Sequence, residues 1–251
     1  MTEMIGFQRP NGRLIDFHTH ILPQMDDGSK SMEESLRMLQ AEAEQGVFCI
    51  AVTPHFYAER DTPALFLARR KERILALREK VKGAFPVLLA GAEMHYFSGI
   101  TVMEELPLFC LENTNLLLLE MPFTKWNTRI IEDILTIQNR YGIQPVLAHI
   151  ERYLQKISAD TLDYLLQNGI LIQANASFFT DRMTQHRAIR MAEEGKIHLI
   201  GSDCHNMTSR PPKLGECYDI MRAGMGTEGT EAMIRNSLEI LYRGRQNIPV
   251  K

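Results

Sequence analysis

The sequence predicts an α/β protein in which parallel strands close into a barrel. Seven apolar runs rich in β-branched residues alternate with stretches of helical periodicity. The runs are apolar at nearly every position, as expected of parallel strands that are covered on both faces. The chain has 251 residues and no Gly/Ser/Pro-rich linker, and about 250 residues is the usual length of one β/α barrel. We therefore expect a single domain over residues 1–251.

The elements follow one another in regular alternation. The seven predicted strands are 14–18, 47–53, 86–92, 115–120, 145–149, 170–175 and 197–203. The predicted helices are 31–45, 63–82, 128–141, 159–168, 183–194, 212–223 and 229–243. Ser31 and Glu34 form a capping box at the start of the first helix, and Pro63 suits the first turn of the second. The segment 95–113 is assigned no element.

A doubly wound open sheet is the alternative to a barrel. Such a sheet binds its ligand at one crevice and tends to carry a Gly-rich phosphate loop after its first strand. The segment that follows the first predicted strand, HILPQMDDGSKS, has a single glycine and no such loop. The barrel is therefore the favoured fold.

The composition excludes several classes of protein. Lys and Arg number 28 against 31 Asp and Glu, which gives a net charge of −3 and no basic footprint for nucleic acid. No apolar run approaches the roughly 20 residues of a membrane-spanning helix, so we expect a chain that is not membrane-inserted. The four cysteines are scattered without a C-x-x-C pair, and the N-terminus lacks a secretory signal pattern. We expect reduced thiols and a cytoplasmic location.

Side chains that bind metals stand at the carboxyl ends of six of the seven predicted strands. They are His18, His20, His55, Glu93, Glu120, His149, Asp203 and His205. In a β/α barrel these ends meet on one rim, where the chemistry of such barrels takes place. Buried carboxylates and imidazoles are costly without compensation, and a metal cluster satisfies many of them together. Residues two apart share a strand face, so Asp16 is expected to point to the barrel axis with His18 and His20.

Other residues of the same types are less clearly placed. The loop after the first strand adds an acidic pair, Asp26 and Asp27. Either carboxylate is a candidate ligand, although acidic residues are also common in turns near a helix start. His95 is left open, whereas His186 and His198 fall away from the predicted strand ends.

Two arginines follow the strand ends, Arg152 after His149 and Arg210 after His205. A guanidinium group suits bidentate capture of phosphate oxygens, although it can also simply pair with a carboxylate. Cys204 and Arg210 have the C-x5-R spacing of cysteine-dependent phosphatases. The intervening HNMTS has no glycine with which to wrap a phosphate, and His205 within it is wanted as a ligand. A cysteine mechanism is therefore disfavoured.

Six motifs together resemble a known family. They are DFHTHILPQMDDGSKS, TPHF, GAEM, LLLLEMPF, AHIERY and SDCHNMTSRPP. They are similar to those of bacterial PHP-domain (polymerase and histidinol phosphatase) proteins, and among these to the manganese-dependent protein tyrosine phosphatases of capsular and exopolysaccharide operons. The resemblance implies a distorted TIM-like (β/α)7 barrel of the PHP fold, preceded by an N-terminal extension over residues 1–13. It also implies three divalent metal ions, Mn first, with Fe, Zn or Mg as the other candidates.

The resemblance assigns ligands by motif position. The first ion would take His18, His20, Glu93 and Asp203. Glu93 would bridge to a second ion that is also held by Glu120 and His149. The third ion would take Asp27, His55 and His205. Arg152 and Arg210 would be the catalytic phosphate-binding residues.

The resulting hypothesis is hydrolysis of phosphotyrosine by a metal-bridging hydroxide. By resemblance, the substrate is the Tyr-rich tail of a bacterial tyrosine kinase that regulates capsular or exopolysaccharide synthesis. One alternative is a small-molecule phosphatase of the same superfamily, such as a histidinol phosphatase. A non-catalytic metal-binding regulator is the other, and the complete set of ligands and both arginines argue against it.

Overall fold

Parallel strands form an uneven barrel in the computed structural model, which describes residues 13–81 and 86–247. Within these residues the strands are β1 (Leu14–Thr19), β2 (Val47–Val52), β3 (His55–Phe56), β4 (Val87–Ala90), β5 (Glu93–His95), β6 (Leu116–Glu120), β7 (Gln144–Leu147), β8 (Leu171–Asn175) and β9 (Leu199–Gly201). They pair in the orders β1-β2-β4 and β3-β5-β6-β7-β8-β9. The Asp203 amide donates to the carbonyl of His18 over 2.8 Å, which joins the end of β9 to β1.

The predicted alternation of seven strands is confirmed, and the structure adds two short strands that were not predicted. The second predicted strand, 47–53, corresponds to β2, and β3 follows it after Pro54, which has no N–H to donate. The third, 86–92, corresponds to β4, and β5 follows it from Glu93. At each of these two points strand pairing passes from the smaller sheet to the larger one. The barrel is therefore distorted at the strands that carry His55 and Glu93.

Seven helices surround the described strands. They are α1 (Met32–Glu44), α2 (Pro63–Val81), α3 (Thr128–Tyr141), α4 (Ala159–Gln167), α5 (Ala176–Thr180), α6 (Gln185–Glu193) and α7 (Leu214–Gln246). The side chain of Ser31 accepts a hydrogen bond from the amide of Glu34, as the capping box predicts. The short α5 was not predicted. Segment 95–113 contains two 3-10 turns, Ile100–Val102 and Leu106–Phe109.

The two helices predicted near the C-terminus form one long element with a kink. Gly226 interrupts α7 at a φ of 78°, a conformation that favours glycine. Gly224, Gly226 and Gly229 have the G-x-G-x-x-G spacing of dinucleotide-binding loops. Because they lie inside a helix and not between a strand and a helix, they form no such loop.

Apolar side chains fill the amino-terminal end of the barrel. Ile15 and Phe17 of β1 pack in one cluster with side chains of β2, β4, β6, β7 and β9. Each of these residues precedes the predicted ligand on its own strand, so the apolar floor lies beneath the rim of polar side chains. No helix among the described residues combines the length and the apolar character needed to cross a membrane. The predicted extension lies outside the described residues, apart from Arg13.

Candidate metal centre

The carboxyl ends of the strands bring the predicted ligands together around Glu93. This side chain is fully buried. Its Oε1 lies 2.7 Å from Nε2 of His149, and its Oε2 lies 2.8 Å from Nδ1 of His55. The same Oε2 is 3.1 Å from Nε2 of His18 and 3.3 Å from Nε2 of His20. One carboxylate thus contacts four imidazoles from three strand ends.

Three groups of side chains have ligand atoms within 4.8 Å of one another. The first group is His18, His20 and Asp203. The second is His55, Glu93 and Glu120. The third is His20, Asp27, His55 and His205. The structure therefore brings together all nine residues that the sequence suggested as ligands, since His149 Nε2 also lies 2.7 Å from Glu93 and 3.6 Å from Glu120.

The grouping differs in detail from the one that the resemblance implied. His55 approaches both carboxylates of the second group, at 2.8 Å from Glu93 and 3.9 Å from Glu120. His20 also joins the third group. His20 and His55 each belong to two of the three groups. The groups therefore share side chains and do not divide into three separate ligand sets.

The residues fit divalent cations. Buried polar atoms without a hydrogen bond of acceptable geometry include Glu93 Oε2, His55 Nδ1, His149 Nδ1 and His205 Nε2. Such orphaned atoms are rare in proteins and call for a ligand or an ion. Carboxylate oxygens and imidazole nitrogens without a thiolate are the donors that Mn²⁺, Fe²⁺ and Zn²⁺ accept.

Neighbouring carboxylates outweigh burial and raise the pKa of His18 and of His20, whereas three other members of the cluster are shifted towards the forms that bind metal. Burial opposes ionisation of Glu93, but the imidazoles of His18 and His55 outweigh it and hold the pKa of this carboxyl well below its usual range. Burial lowers the pKa of His149. Burial and the neighbouring His20 lower the pKa of His205 to about 4. Glu93 is therefore anionic, and the imidazoles of His149 and His205 are neutral, near pH 7, as metal binding requires.

Asp26 and Asp27, the acidic pair after β1, have different roles. Asp26 is the buried member, and its Oδ2 accepts from His20 Nδ1 over 2.7 Å and from the His55 amide over 2.9 Å. This fixes His20 with Nε2 towards Glu93. Asp27 is 65% exposed and directs Oδ1 to His205 Nε2 at 3.4 Å. The sequence left the choice between the two open because it gives residue types without side-chain directions.

The expectation that Asp16 points to the barrel axis is wrong. The pairing of β1 with β2 shifts register between Asp16 and Thr19, which breaks the simple alternation. Asp16 instead contacts Glu42 of α1, and its Oδ1 accepts from the amides of His18 and Ser202. It stabilises the backbone beneath the cluster.

Arg152 and Arg210 meet on one oxygen of the cluster. Their guanidinium groups lie 2.5 and 2.6 Å from Asp203 Oδ2. Each side chain is about a third exposed, at 32% and 39%, and both line a cavity of about 160 Å³. Asn206 Oδ1 accepts from the amide of Arg210 over 3.1 Å, which fixes the loop that presents this residue. Two cations therefore face a space beside the predicted metal ligands.

A family model for capsular polysaccharide synthesis proteins, CpsB/CapC, matches residues 14–242. The chain belongs to the CpsB/CapC family. The matched segment contains all eleven of the predicted site residues. The resemblance inferred from the motifs is confirmed.

Relatives of this CpsB/CapC family member are named as tyrosine phosphatases. Tyrosine-protein phosphatase CpsB of Streptococcus agalactiae serotype V is 32% identical over 243 residues, 91% of this chain and 98% of that protein. Tyrosine-protein phosphatase YwqE of Bacillus subtilis is 27% identical, and the match covers 92% of each chain. A chain from crystal structures of YwqE and of Streptococcus pneumoniae CpsB, described as metal-dependent tyrosine phosphatases, matches with a TM-score of 0.80 and 27% identity. It covers 95% of this chain and 100% of that one.

A more distant structure shares the fold alone. The phosphotriesterase homology protein of Escherichia coli, solved with phosphate in its active site, matches with a TM-score of 0.55 at 11% identity. The predicted distorted TIM-like barrel is confirmed by the match to YwqE and CpsB.

The structure contradicts a cysteine nucleophile in this member of the CpsB/CapC family. Cys204 is fully buried, and its Sγ lies 3.8 Å from Glu42 Oε1. Burial, together with the carboxyls of Glu42 and Asp16, raises the pKa of the thiol well above its usual range. A nucleophilic cysteine needs a lowered pKa and access to its substrate.

We expect Cys204→Ala and Cys204→Ser to keep phosphatase activity within about twofold of the parent, because the thiol takes no part in the reaction. Steady-state kinetics with p-nitrophenyl phosphate, with and without a chelator, measure this. The same substitutions at buried Cys110 are the control for loss of stability. A correctly folded Cys204→Ala protein with no activity would restore the cysteine mechanism.

Proposed function

We propose that this chain is a metal-dependent protein tyrosine phosphatase. The observation that carries the proposal is the convergence of Arg152 and Arg210 on Asp203, at the edge of a buried cluster of imidazoles and carboxylates. Such a site can hold cations and a phosphate group side by side. The names of the relatives of the CpsB/CapC family support the same activity.

The proposed metal ligands are the nine residues that the sequence suggested. They are His18, His20, Asp27, His55, Glu93, Glu120, His149, Asp203 and His205. Three divalent cations, with Mn²⁺ the first candidate, would lower the pKa of a coordinated water and offset charge on the phosphoryl oxygens. The nine ligands would hold the cations, and the apolar side chains beneath them, such as Ile15 and Phe17, exclude water from the floor of the site.

Arg152 and Arg210 bind the phosphate in this proposal. Each guanidinium donates to phosphoryl oxygens and stabilises the charge that spreads over them during transfer. The cavity that they line also contains the side chains of Ser177, Ser209 and Lys213. These groups add donors and positive charge to the cavity.

An aromatic leaving group suits the surroundings of the centre. Phenol has a pKa of ~10, well below that of an alkyl alcohol, so a phosphotyrosine needs less protonation of its leaving oxygen. Phe123 lies in the loop that follows Glu120, the last residue of β6, and is 52% exposed. The centroid of its ring lies 5.5 Å from that of Tyr153. An exposed aromatic surface beside the centre supports binding of an aryl ring.

The finer proposal concerns the partner and the compartment. The substrate would be a tyrosine-phosphorylated protein, in particular the Tyr-rich tail of a bacterial tyrosine kinase that controls polysaccharide synthesis. A cytoplasmic location fits the four free, buried cysteines, since reduced thiols are typical of that compartment.

We expect the metal-loaded protein to hydrolyse a phosphotyrosyl peptide with a kcat/KM at least about tenfold above that for histidinol phosphate. Removal of metal by a chelator should abolish turnover, and added Mn²⁺ should restore it. Kinetics with both substrates and metal content per chain measure this. A preference for histidinol phosphate would replace the proposal with a small-molecule phosphatase, and activity without metal would refute it.

A further inference from the structure

Strand β8 differs from the other strands at the rim. It corresponds to the predicted strand 170–175, the one predicted strand whose end carries no candidate metal ligand. It ends instead in two amides, Gln173 and Asn175, which are 0% and 3% exposed. Residues two apart on a strand share a face, and both side chains point to the cluster formed by the neighbouring strand ends.

The two amides belong to a chain of hydrogen bonds in which the donor and the acceptor of each bond can be assigned. The backbone N–H of His149 donates to Gln173 Oε1 over 2.7 Å. Because a backbone amide can only donate, this bond fixes which end of the Gln173 side chain is oxygen. Gln173 Nε2 then donates to Asn175 Oδ1 over 3.0 Å, and Asn175 Nδ2 donates to Asp203 Oδ2 over 2.8 Å. The order of donors is set from one end of the chain of bonds to the other.

The same oxygen sets the tautomer of His18. Gln173 Oε1 lies 3.3 Å from His18 Nδ1, and an amide oxygen only accepts, so Nδ1 carries the hydrogen. The opposite nitrogen, Nε2, lies 3.1 Å from Glu93 Oε2 and 3.6 Å from Asp203 Oδ1. In the neutral ring the lone pair therefore lies on Nε2, where the ligand atoms meet.

Both ends of this chain of bonds are in unusual backbone conformations. His149 has a φ of 33° and Asp203 a φ of 54°, in the left-handed region that side chains rarely adopt. Such conformations persist where the surrounding structure holds them. Gln173 is hydrogen-bonded to His149, and Asn175 is hydrogen-bonded to Asp203.

Gly201 of β9 packs closely against Gln173 and His18. A Cβ at this position would lie 2.4 Å from His18 Cβ and 2.9 Å from Gln173 Nε2. Glycine therefore allows β9 to approach the amide and the Cβ of the histidine.

We propose that Gln173 and Asn175 are positioning residues for the metal-ligating groups: Gln173 sets the tautomer of His18 and holds the backbone at His149, and Asn175 sets the orientation of the Asp203 carboxylate. The inference rests on the proposed function only in taking the cluster to be a metal centre. Gln173 orients the His18 ring and holds the backbone at His149, and Asn175 holds Asp203 Oδ2 so that Oδ1 faces the imidazoles. Asn175 also lines the cavity beside Arg152 and Arg210, but the role proposed for it acts through Asp203.

The test measures metal binding in the absence of substrate. We expect Gln173→Met, which keeps the size of the side chain and removes the acceptor, to weaken metal binding about 10- to 100-fold. Asn175→Leu, which removes the donor to Asp203, should act in the same direction. Competition with a chromogenic chelator gives the affinity for Mn²⁺, and the electron paramagnetic resonance spectrum of bound Mn²⁺ reports the coordination geometry.

Two further variants separate positioning from packing. Gln173→Glu keeps an acceptor for His149 and His18, so it should bind Mn²⁺ more tightly than Gln173→Met. If only packing matters, Gln173→Glu will bind Mn²⁺ no more tightly than Gln173→Met, because Met fills the same volume as Gln. Gln144→Met, on β7 at the opposite end of the barrel, is the matched control and should leave affinity unchanged.

Parent-like Mn²⁺ affinity and spectra in Gln173→Met would overturn the inference. If that variant does not fold, the same outcome in Asn175→Leu would do so. Because no substrate is present, failure of the tyrosine phosphatase proposal would leave these results unaffected. Conversely, parent-like metal binding in the variants would leave the phosphatase proposal standing.

Discussion

Substitution of Glu93 by Gln is expected to reduce kcat by about a thousandfold, which corresponds to roughly 4 kcal/mol of lost stabilisation. Glu93 contacts four imidazoles from three strand ends and is fully buried. An amide keeps the size of the side chain but removes the negative charge that offsets the cations. We therefore expect loss of metal and of activity together.

Measurement of metal content by elemental analysis, alongside turnover of a phosphotyrosyl peptide, tests this expectation. Glu72→Gln is the matched control, because Glu72 is an exposed residue of α2 outside the site. Its metal content and kcat should equal those of the parent. A Glu93→Gln protein that retains its full metal content and turnover would show that Glu93 is not a ligand.

Arg210→Ala should also impair catalysis strongly, but through loss of phosphate binding and not through loss of metal. We expect kcat/KM to fall about 10²- to 10³-fold while metal content stays near that of the parent, because the guanidinium binds phosphate and no metal. His149→Ala, in contrast, should lose metal and activity together. Arg210→Lys keeps a charge without the bidentate geometry and should fall between Arg210→Ala and the parent.

The comparison of Arg210→Ala with His149→Ala decides between the two roles. Equal metal loss in both variants would contradict the assignment of Arg210 to phosphate. Arg187→Ala, at an exposed position of α6, is the control for the loss of one surface cation. It should leave kcat/KM within about twofold of the parent.

The strand ends were predictable because a parallel barrel places them all on one rim. Knowing that His55 and Glu93 follow apolar runs is enough to bring them together, even though Pro54 separates His55 from its run. Directions of individual side chains were not predictable. The register shift in β1 turns Asp16 towards α1, and nothing in the alternation of residue types announces that shift.

The amides of β8 were missed for a related reason. A search for metal-binding residue types selects His, Asp, Glu and Cys, and it passes over Gln173 and Asn175. The signal available in the sequence was the regularity itself, since one strand end lacked the ligand that the others carry. An exception in a regular pattern can thus indicate where the supporting residues of a site lie.

Asp203 connects the two halves of the site through its two oxygens. Oδ1 faces His18 and His20, whereas Oδ2 accepts from Arg152 and Arg210. A cation held by Oδ1 would draw negative charge away from Oδ2 and loosen its hold on both guanidinium groups, which would then be free for an incoming phosphate. Loading with metal and affinity for the anion would therefore be thermodynamically coupled, and by reciprocity a bound phosphate would tighten the binding of the metal.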